Sequence, residues 1–506
     1  MFLFRSLTAG LVGLVLLGAH EARAADAGTV PKWWRFEKSF TSAVAYTNPV
    51  QQAELSVELT SPGGVVSRVY GFWDGDNTWR FRFAPDAGGE WHFTTACSDA
   101  ANTGLHGQKG SFVCTPPEGE TRFQKHGPVR ISADGRSLAH SDGTPFLWLA
   151  NTSWAGTSLT GNSPSNFNAV QWLVTPSVTV SDAPYSGTDK IALNPGYFEK
   201  LDKRVVQFEK AGLLNAPVLL GTGAGAGNDL PPDQAAKLAR YMVARWQASP
   251  SFWILSSGGH YFGSEGMKWK QVGRAVFGGI SHAPVALLPQ SRHWIAWEFG
   301  EERWMNVVGY HSGSGNAESA LRWLNEGPVT KDWQQPPSRP FINLEPVNEL
   351  GDPFQNQPRL NADDARRSLF WSLLNAPTAG VTSSENLGPA ATFFGSFDFS
   401  QLRPSPGSVV NNPGVQNPRK FIALARTEKK DVTIAYVPED RTVEILLEAF
   451  PPAPDVRWFN PRTGEKSPAV GVVTERSCQF PTPGEGDWIL IMHTQQKPAV
   501  APGPAK

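Results

Sequence analysis

Cysteine is nearly missing from this chain, with 3 among 506 residues. So few thiols exclude a disulfide-stapled scaffold, and no His/Cys spacing resembles a zinc site. Cys97 and Cys114 flank a polar, Gly-containing loop between two expected strands. A disulfide between them needs a matching register, and the sequence leaves it open. Cys478 is expected as a buried small hydrophobe. Charge is sparse too: 18% of residues are charged and the net charge is -1. That leaves no basic surplus to hold a phosphate backbone, so nucleic acid is excluded as a partner. Beyond the N-terminus no apolar run reaches the length of a membrane span.

The N-terminus has its own signature. Arg5 gives a positive start, Leu7 to Leu17 an apolar stretch, and Ala22-Arg23-Ala24 a small-x-small cleavage site. Residues 1–24 therefore read as a secretory signal peptide, and the mature protein is expected to be secreted or periplasmic. No Cys follows the apolar stretch, so no membrane anchor is expected.

What the chain has in excess is 19 Trp, 49 Gly and 42 Pro. Tryptophan suits sugar recognition, because its flat apolar face stacks on a pyranose while its N–H still donates; most of these rings are nonetheless expected as core. The length calls for two to three domains. Residues 32–118 read as an N-terminal β-sandwich. Glu54 to Thr60 and Trp79 to Phe83 alternate at period two between turn residues. From 127 to 402 strands and helices alternate. Pro145 to Thr152, Pro217 to Gly221, Phe252 to Leu255, Val285 to Leu288 and Phe341 to Leu344 read as strands. Phe198 to Ala211, Pro232 to Gln247 and Ala362 to Asn375 read as helices. That alternation predicts a (β/α)8 TIM barrel. A Pro/Gly/Asn-rich linker, 403–418, precedes a C-terminal β-sandwich at 419–494, and 495–506 reads as a disordered tail.

The most informative stretch is Arg339 to Glu349. The apolar run Phe341 to Leu344 is broken by Glu345 and then by Pro346, which cannot donate a ladder hydrogen bond. A buried parallel strand that ends this way delivers its carboxylate to the mouth of a barrel. Glu345 is the first catalytic candidate, and Glu349 is a further acid close by.

These segments resemble a known family. Asp142 to Phe146, Asn194 to Phe198, Ala239-Arg240-Tyr241, Trp253-Ile254-Leu255, Arg339 to Glu349 and Arg366 to Leu374 resemble the apiosidase-like glycoside hydrolase barrel. Gly71 to Gly75 with Gly89-Glu90-Trp91 resembles an N-terminal domain of bacterial secreted glycosidases. Arg457 to Gly464 with Asp487-Trp488 resembles the domain labelled collagen-binding in that family. The resemblance implies a carbohydrate substrate, Glu345 as nucleophile or base, and no metal or cofactor; the chain is expected to be a monomer. It also implies a second carboxylate in a Gly-Gly-Asp-Gly-Asp-Tyr run after Trp-Ile-Leu. Here that run is Ser256-Ser257-Gly258-Gly259-His260-Tyr261, and both aspartates are absent. His260 is the residue left to donate a proton, with Glu265 five positions on.

Other rim segments also depart from the family, at Asn151-Thr152, Tyr310 to Gly315 and Gly380 to Ser384. Trp154, Asn151, Trp172, Tyr261, His311 and Trp297 are the candidate substrate-binding residues, with His293 a further hydrogen-bonder. Three functions compete. One is a secreted hydrolase acting on complex, plant-type polysaccharide or oligosaccharide. The second is a catalytically degraded relative that binds carbohydrate or glycoprotein. The third is a matrix adhesin, resting on the last domain's label.

Overall fold

The computed structural model describes residues 28–153, 167–175, 183–222, 225–313, 317–346, 361–376, 378–382, 388–405, 407, 409–450 and 454–494. Glu349 and Trp154 lie outside these described residues, as do the signal and tail segments.

Short alternating segments build the first domain. Leu55–Thr60 buries every second side chain, as its sequence pattern demands. It sits inside a seven-stranded sheet with Val66–Trp73 on one side and Gly89–Cys97 on the other. Val66–Trp73 pairs with Leu55–Thr60 through its first half and with Thr78–Phe83 through its last three residues. The sheet thereby folds over its own core of Val57, Leu59, Phe81, Trp91, Phe93 and Phe112. Gly28–Pro31 adds a parallel edge strand, so the domain begins earlier than residue 32.

The register also settles the cysteines. Cys114 lies opposite Gly89, whereas Cys97 lies at the far end of the same strand, opposite Leu55. Both are buried and free, as is Cys478, so no Cys97–Cys114 disulfide forms.

Eight parallel strands form the centre: β1 (Trp148–Ser153), β2 (Ala169–Leu173), β3 (Leu214–Leu220), β4 (Trp253–Gly259), β5 (Val285–Pro289), β6 (Val308–His311), β7 (Phe341–Glu345) and β8 (Thr378–Thr382). Their spatial order is β5-β4-β3-β2-β1-β8-β7-β6, which is chain order around a ring. The Val307 N–H donates to Val285 O at 3.1 Å where the ends of the ring meet. This is a barrel of the TIM type.

Alternation along the strands fills the lumen with Trp148, Ala150, Ala169, Ala216, Val218, Ile254, Ala286, Leu288, Ile342 and Leu344. A small three-stranded sheet at Val129–Ile131, Leu138–His140 and Pro145–Phe146 adds Val129, Leu138 and Phe146 to the same core. Helices α1 (Pro195–Lys210), α2 (Pro232–Trp246), α3 (Gly263–Phe277), α4 (Glu318–Glu326), α5 (Val329–Asp332), α6 (Ala362–Leu374) and α7 (Gly388–Phe394) flank the barrel. Among the described residues one connection departs from the (β/α)8 alternation. After β5 the chain crosses the outer wall as a run of turns over 290–306, with no helix.

The last domain has a six-stranded and a three-stranded sheet facing each other over Val409, Leu424, Ala435, Val443, Trp458 and Leu490. The other face of the larger sheet packs Tyr436, Ile489 and Ile491 on the barrel beside Phe370 and Trp371 of α6. Leu402–Pro404 is already a strand of this sheet, and Val409 and Val410 are buried in its core. Much of the expected linker is therefore part of the domain.

Candidate active site at the barrel mouth

Because all eight strands are parallel, their C-terminal ends meet at one rim, where polar groups escape the packed lumen. Phe341, Ile342 and Leu344 are buried, and Glu345 is the first residue of β7 to regain solvent, with its side chain 30% exposed. Simple alternation would turn Glu345 outward, since Ile342 and Leu344 point into the lumen. The register prevents this. Tyr310 pairs with Asn343 but His311 pairs with Glu345, a slip of one residue. Such a bulge re-aims a side chain. Here it brings the Glu345 carboxylate to 3.7 Å from His311 Nδ1.

Two buried amides fix this strand end. Gln171, on β2 across the barrel, donates through Nε2 to Leu344 O at 3.1 Å. Asn343 donates to Ser312 Oγ at 2.9 Å and to Ser372 Oγ at 2.8 Å, joining β7 to the end of β6 and to α6. The sequence reading missed both. Their signal is a lone amide inside an otherwise apolar strand, which must find partners once buried.

The end of β4 is built differently. Tyr261 adopts φ +61° and is fully buried. Its hydroxyl lies 3.1 Å from Ser256 Oγ and 3.3 Å from Leu288 O, either of which can accept its proton, and burial pushes its phenol above the usual range. This anchored, left-handed residue leaves its neighbours His260 and Phe262 exposed. The Glu265 carboxylate, in the first turn of α3, accepts the backbone N–H of His260 at 3.1 Å and of Tyr261 at 3.3 Å. It is occupied in holding the loop.

His260 Nδ1 lies 3.0 Å from His293 Nε2, and His293 Nδ1 lies 3.2 Å from Ser291 O. A carbonyl only accepts, so His293 carries its proton on Nδ1 and accepts through Nε2. His260 must then hold a proton on Nδ1 and donate it to His293 Nε2.

The remaining candidates divide. His311 is buried beside Glu345, and Asn151 is half-buried on β1. Trp172 is not a sugar platform: it is fully buried outside the lumen, packs on Phe208 and Trp246, and donates to Asn215 Oδ1. Tyr261 is likewise an anchor without an exposed face. Trp297 is 73% exposed and donates to Asp332 of α5. Among the described residues no group of three or more His, Cys, Asp or Glu could hold a metal ion. Nor is any helix among them long and apolar enough to cross a membrane.

The TIM-type barrel between two sheet domains belongs to a glycoside-hydrolase-like protein. Residues 132–386 match the apiosidase-like catalytic domain, 29–98 a domain of unknown function, and 404–493 the collagen-binding-like domain of a collagenase. The chain belongs to the apiosidase-like family.

A structure assigned as a glycoside hydrolase from Bacteroides vulgatus ATCC 8482 is 17% identical with a TM-score of 0.67, covering 92% of this chain and 99% of that one. A glycoside hydrolase family 5 structure from the same organism is also 17% identical, with a TM-score of 0.63, covering 76% of this chain and 97% of that one. At these identities the likeness is one of fold. No curated protein matched the chain.

Proposed function

We propose that this protein is a secreted glycoside hydrolase that cleaves glycosidic bonds in complex, plant-type polysaccharide fragments. Glycoside hydrolysis needs one group to protonate the leaving oxygen and another to attack the anomeric carbon or activate water. In this reading Glu345 is the nucleophile or base, and His260, coupled to His293, is the proton donor. The observation that supports it is the register slip in β7, where the part-exposed Glu345 carboxylate lies 3.7 Å from His311 Nδ1. Met1 to Ala24 acts as the export signal. The terminal sheet domains, read as β-sandwiches, support the barrel from either side, and the protein works as a monomer.

The second reading, a carbohydrate-binding relative without turnover, is favoured by one observation. The nearby Glu265 is committed to the backbone of residues 260 and 261.

A screen of purified protein against branched pectin oligosaccharides and aryl glycosides separates the two. Hydrolysis is expected, with His260→Ala lowering kcat by about 10²–10⁴ on poor leaving groups and far less on nitrophenolate, which needs no proton. Sugar binding without turnover on any substrate supports the second reading and sinks the first.

A further inference from the structure

A cavity of about 300 Å³ lies between the N-terminal sheet domain and α2 of the barrel, far in sequence from the catalytic candidates. Its lining is mainly apolar. Leu55, Trp79 and Cys97 are almost fully buried beneath it, and the rings of Tyr70, Trp73 and Tyr241 contribute to its walls. The polar lining is concentrated in a few charged groups. Arg240 Nη1 pairs with Glu54 at 2.8 Å, which neutralises both. Arg240 Nη2 donates to Ala275 O at 2.9 Å and its guanidinium lies over the Tyr70 ring, so Arg240 is already engaged. Lys237, half-buried, touches only Val50 O at 3.3 Å among its hydrogen bonds, and no carboxylate pairs with it among the described residues.

The lining therefore carries one surplus positive charge against an aromatic surface. A sugar would leave most of its hydroxyls unpaired there, because the lining is mainly apolar. Ser56 Oγ donates to Ala96 O at 3.4 Å, and Ser98 Oγ accepts the Glu54 N–H at 2.9 Å.

We propose that this interdomain cavity binds a planar aromatic carboxylate. Its ring packs against Tyr70 and Trp73, and its carboxylate meets Lys237. Pockets at domain boundaries with apolar walls and a few fixed polar groups are the usual form of small-molecule sites. Since the ligand touches both domains, its binding stabilises their docking.

Isothermal titration of the full chain with cinnamate, cinnamyl alcohol and glucuronate tests this, with Lys237→Met as the variant. Methionine keeps the aliphatic stem on the helix and removes only the charge. Cinnamate is expected to bind once per chain and to raise the melting temperature. Its affinity should fall about tenfold in Lys237→Met, the loss of one charge-assisted hydrogen bond. Cinnamyl alcohol should bind more weakly than cinnamate, and glucuronate should give no heat. Absence of cinnamate binding, equal affinity in Lys237→Met, or tighter binding of glucuronate overturns the proposal. None of these results depends on turnover at Glu345.

Discussion

At the scale of single residues, the chemistry rests on where ionisable groups are held. His140 and His282 show how burial writes a pH dependence into the molecule. Burial lowers the pKa of both below the ordinary value of 6.5. The Gly127 carbonyl opposes the shift at His140, whereas His126 and Arg122 add to it. At His282, Ala283 O opposes and Arg130 adds.

The unfolded chain takes up protons near pH 6.5 while the folded chain refuses them until lower pH. Stability from these groups is thus present above 6.5 and lost as pH falls through the lowered values. Asp142 titrates lower still. Although burial opposes it, the Thr144 N–H and His126 hold its carboxyl down to about 2. The melting temperature is therefore expected to fall in two stages, first below about pH 6.5 and again below about pH 4. His140→Asn, which keeps a donor near Nδ1 for Gly127 O, should flatten the first stage only. Thermal melts at pH 7, 5 and 3 measure this.

At the scale of elements, strands with uniform apolar runs were legible and interrupted ones were not. Phe341 to Leu344 and Val285 to Leu288 identify themselves as barrel strands because nothing polar breaks them. Ala169–Leu173 carries Gln171, and Val308–His311 carries a glycine and a histidine, so neither reads as a buried strand from sequence. Trp172 was misplaced for the same reason: without its strand, its burial could not be inferred. Helix α3 was missed because Gly263, Gly266 and Gly273 depress its propensity.

The structure supplies a reason for Gly273. A Cβ there would lie 2.1 Å from Trp304 Cε2, on the segment that replaces the fifth helix. Trp304 is buried and donates to Glu302 at 2.9 Å, so it cannot easily yield. Gly273→Ala is expected to destabilise the protein by about 1–3 kcal/mol despite alanine's better helix propensity. Urea unfolding of the variant would contradict this if its midpoint rose.

At the scale of the whole molecule, buried ion pairs join the three domains. Arg245 of α2 bonds Asp74 of the N-terminal domain at 2.7 Å and Asp202 of α1 at 2.8 Å. Arg82 reaches the same Asp202 at 3.0 Å. At the other end, Arg366 of α6 bonds Asp487 at 2.6 Å, and Tyr436 OH donates to the same carboxylate at 2.9 Å. Removing one member leaves charges buried without a partner. Arg245→Met should therefore cost about 3–5 kcal/mol and loosen the first domain from the barrel. Limited proteolysis is expected to cut the variant between these domains sooner than the parent.

None of these pairs was legible in the sequence, since their members lie far apart along it. The three-part order of the chain was, because composition and periodicity change at each boundary. The departure at His260 was visible as a missing aspartate, but its pairing with His293 needed the fold.

The central claim is that a bulged seventh strand presents Glu345 for reaction, and the turnover ratio between the parent and Glu345→Gln tests it most directly. Both proteins would be assayed on the same aryl glycoside, with circular dichroism confirming equal folding. Loss of a reacting group predicts a fall in kcat of about 10³-fold or more with sugar binding retained. A Glu345→Gln protein that turns over at the parental rate would contradict it.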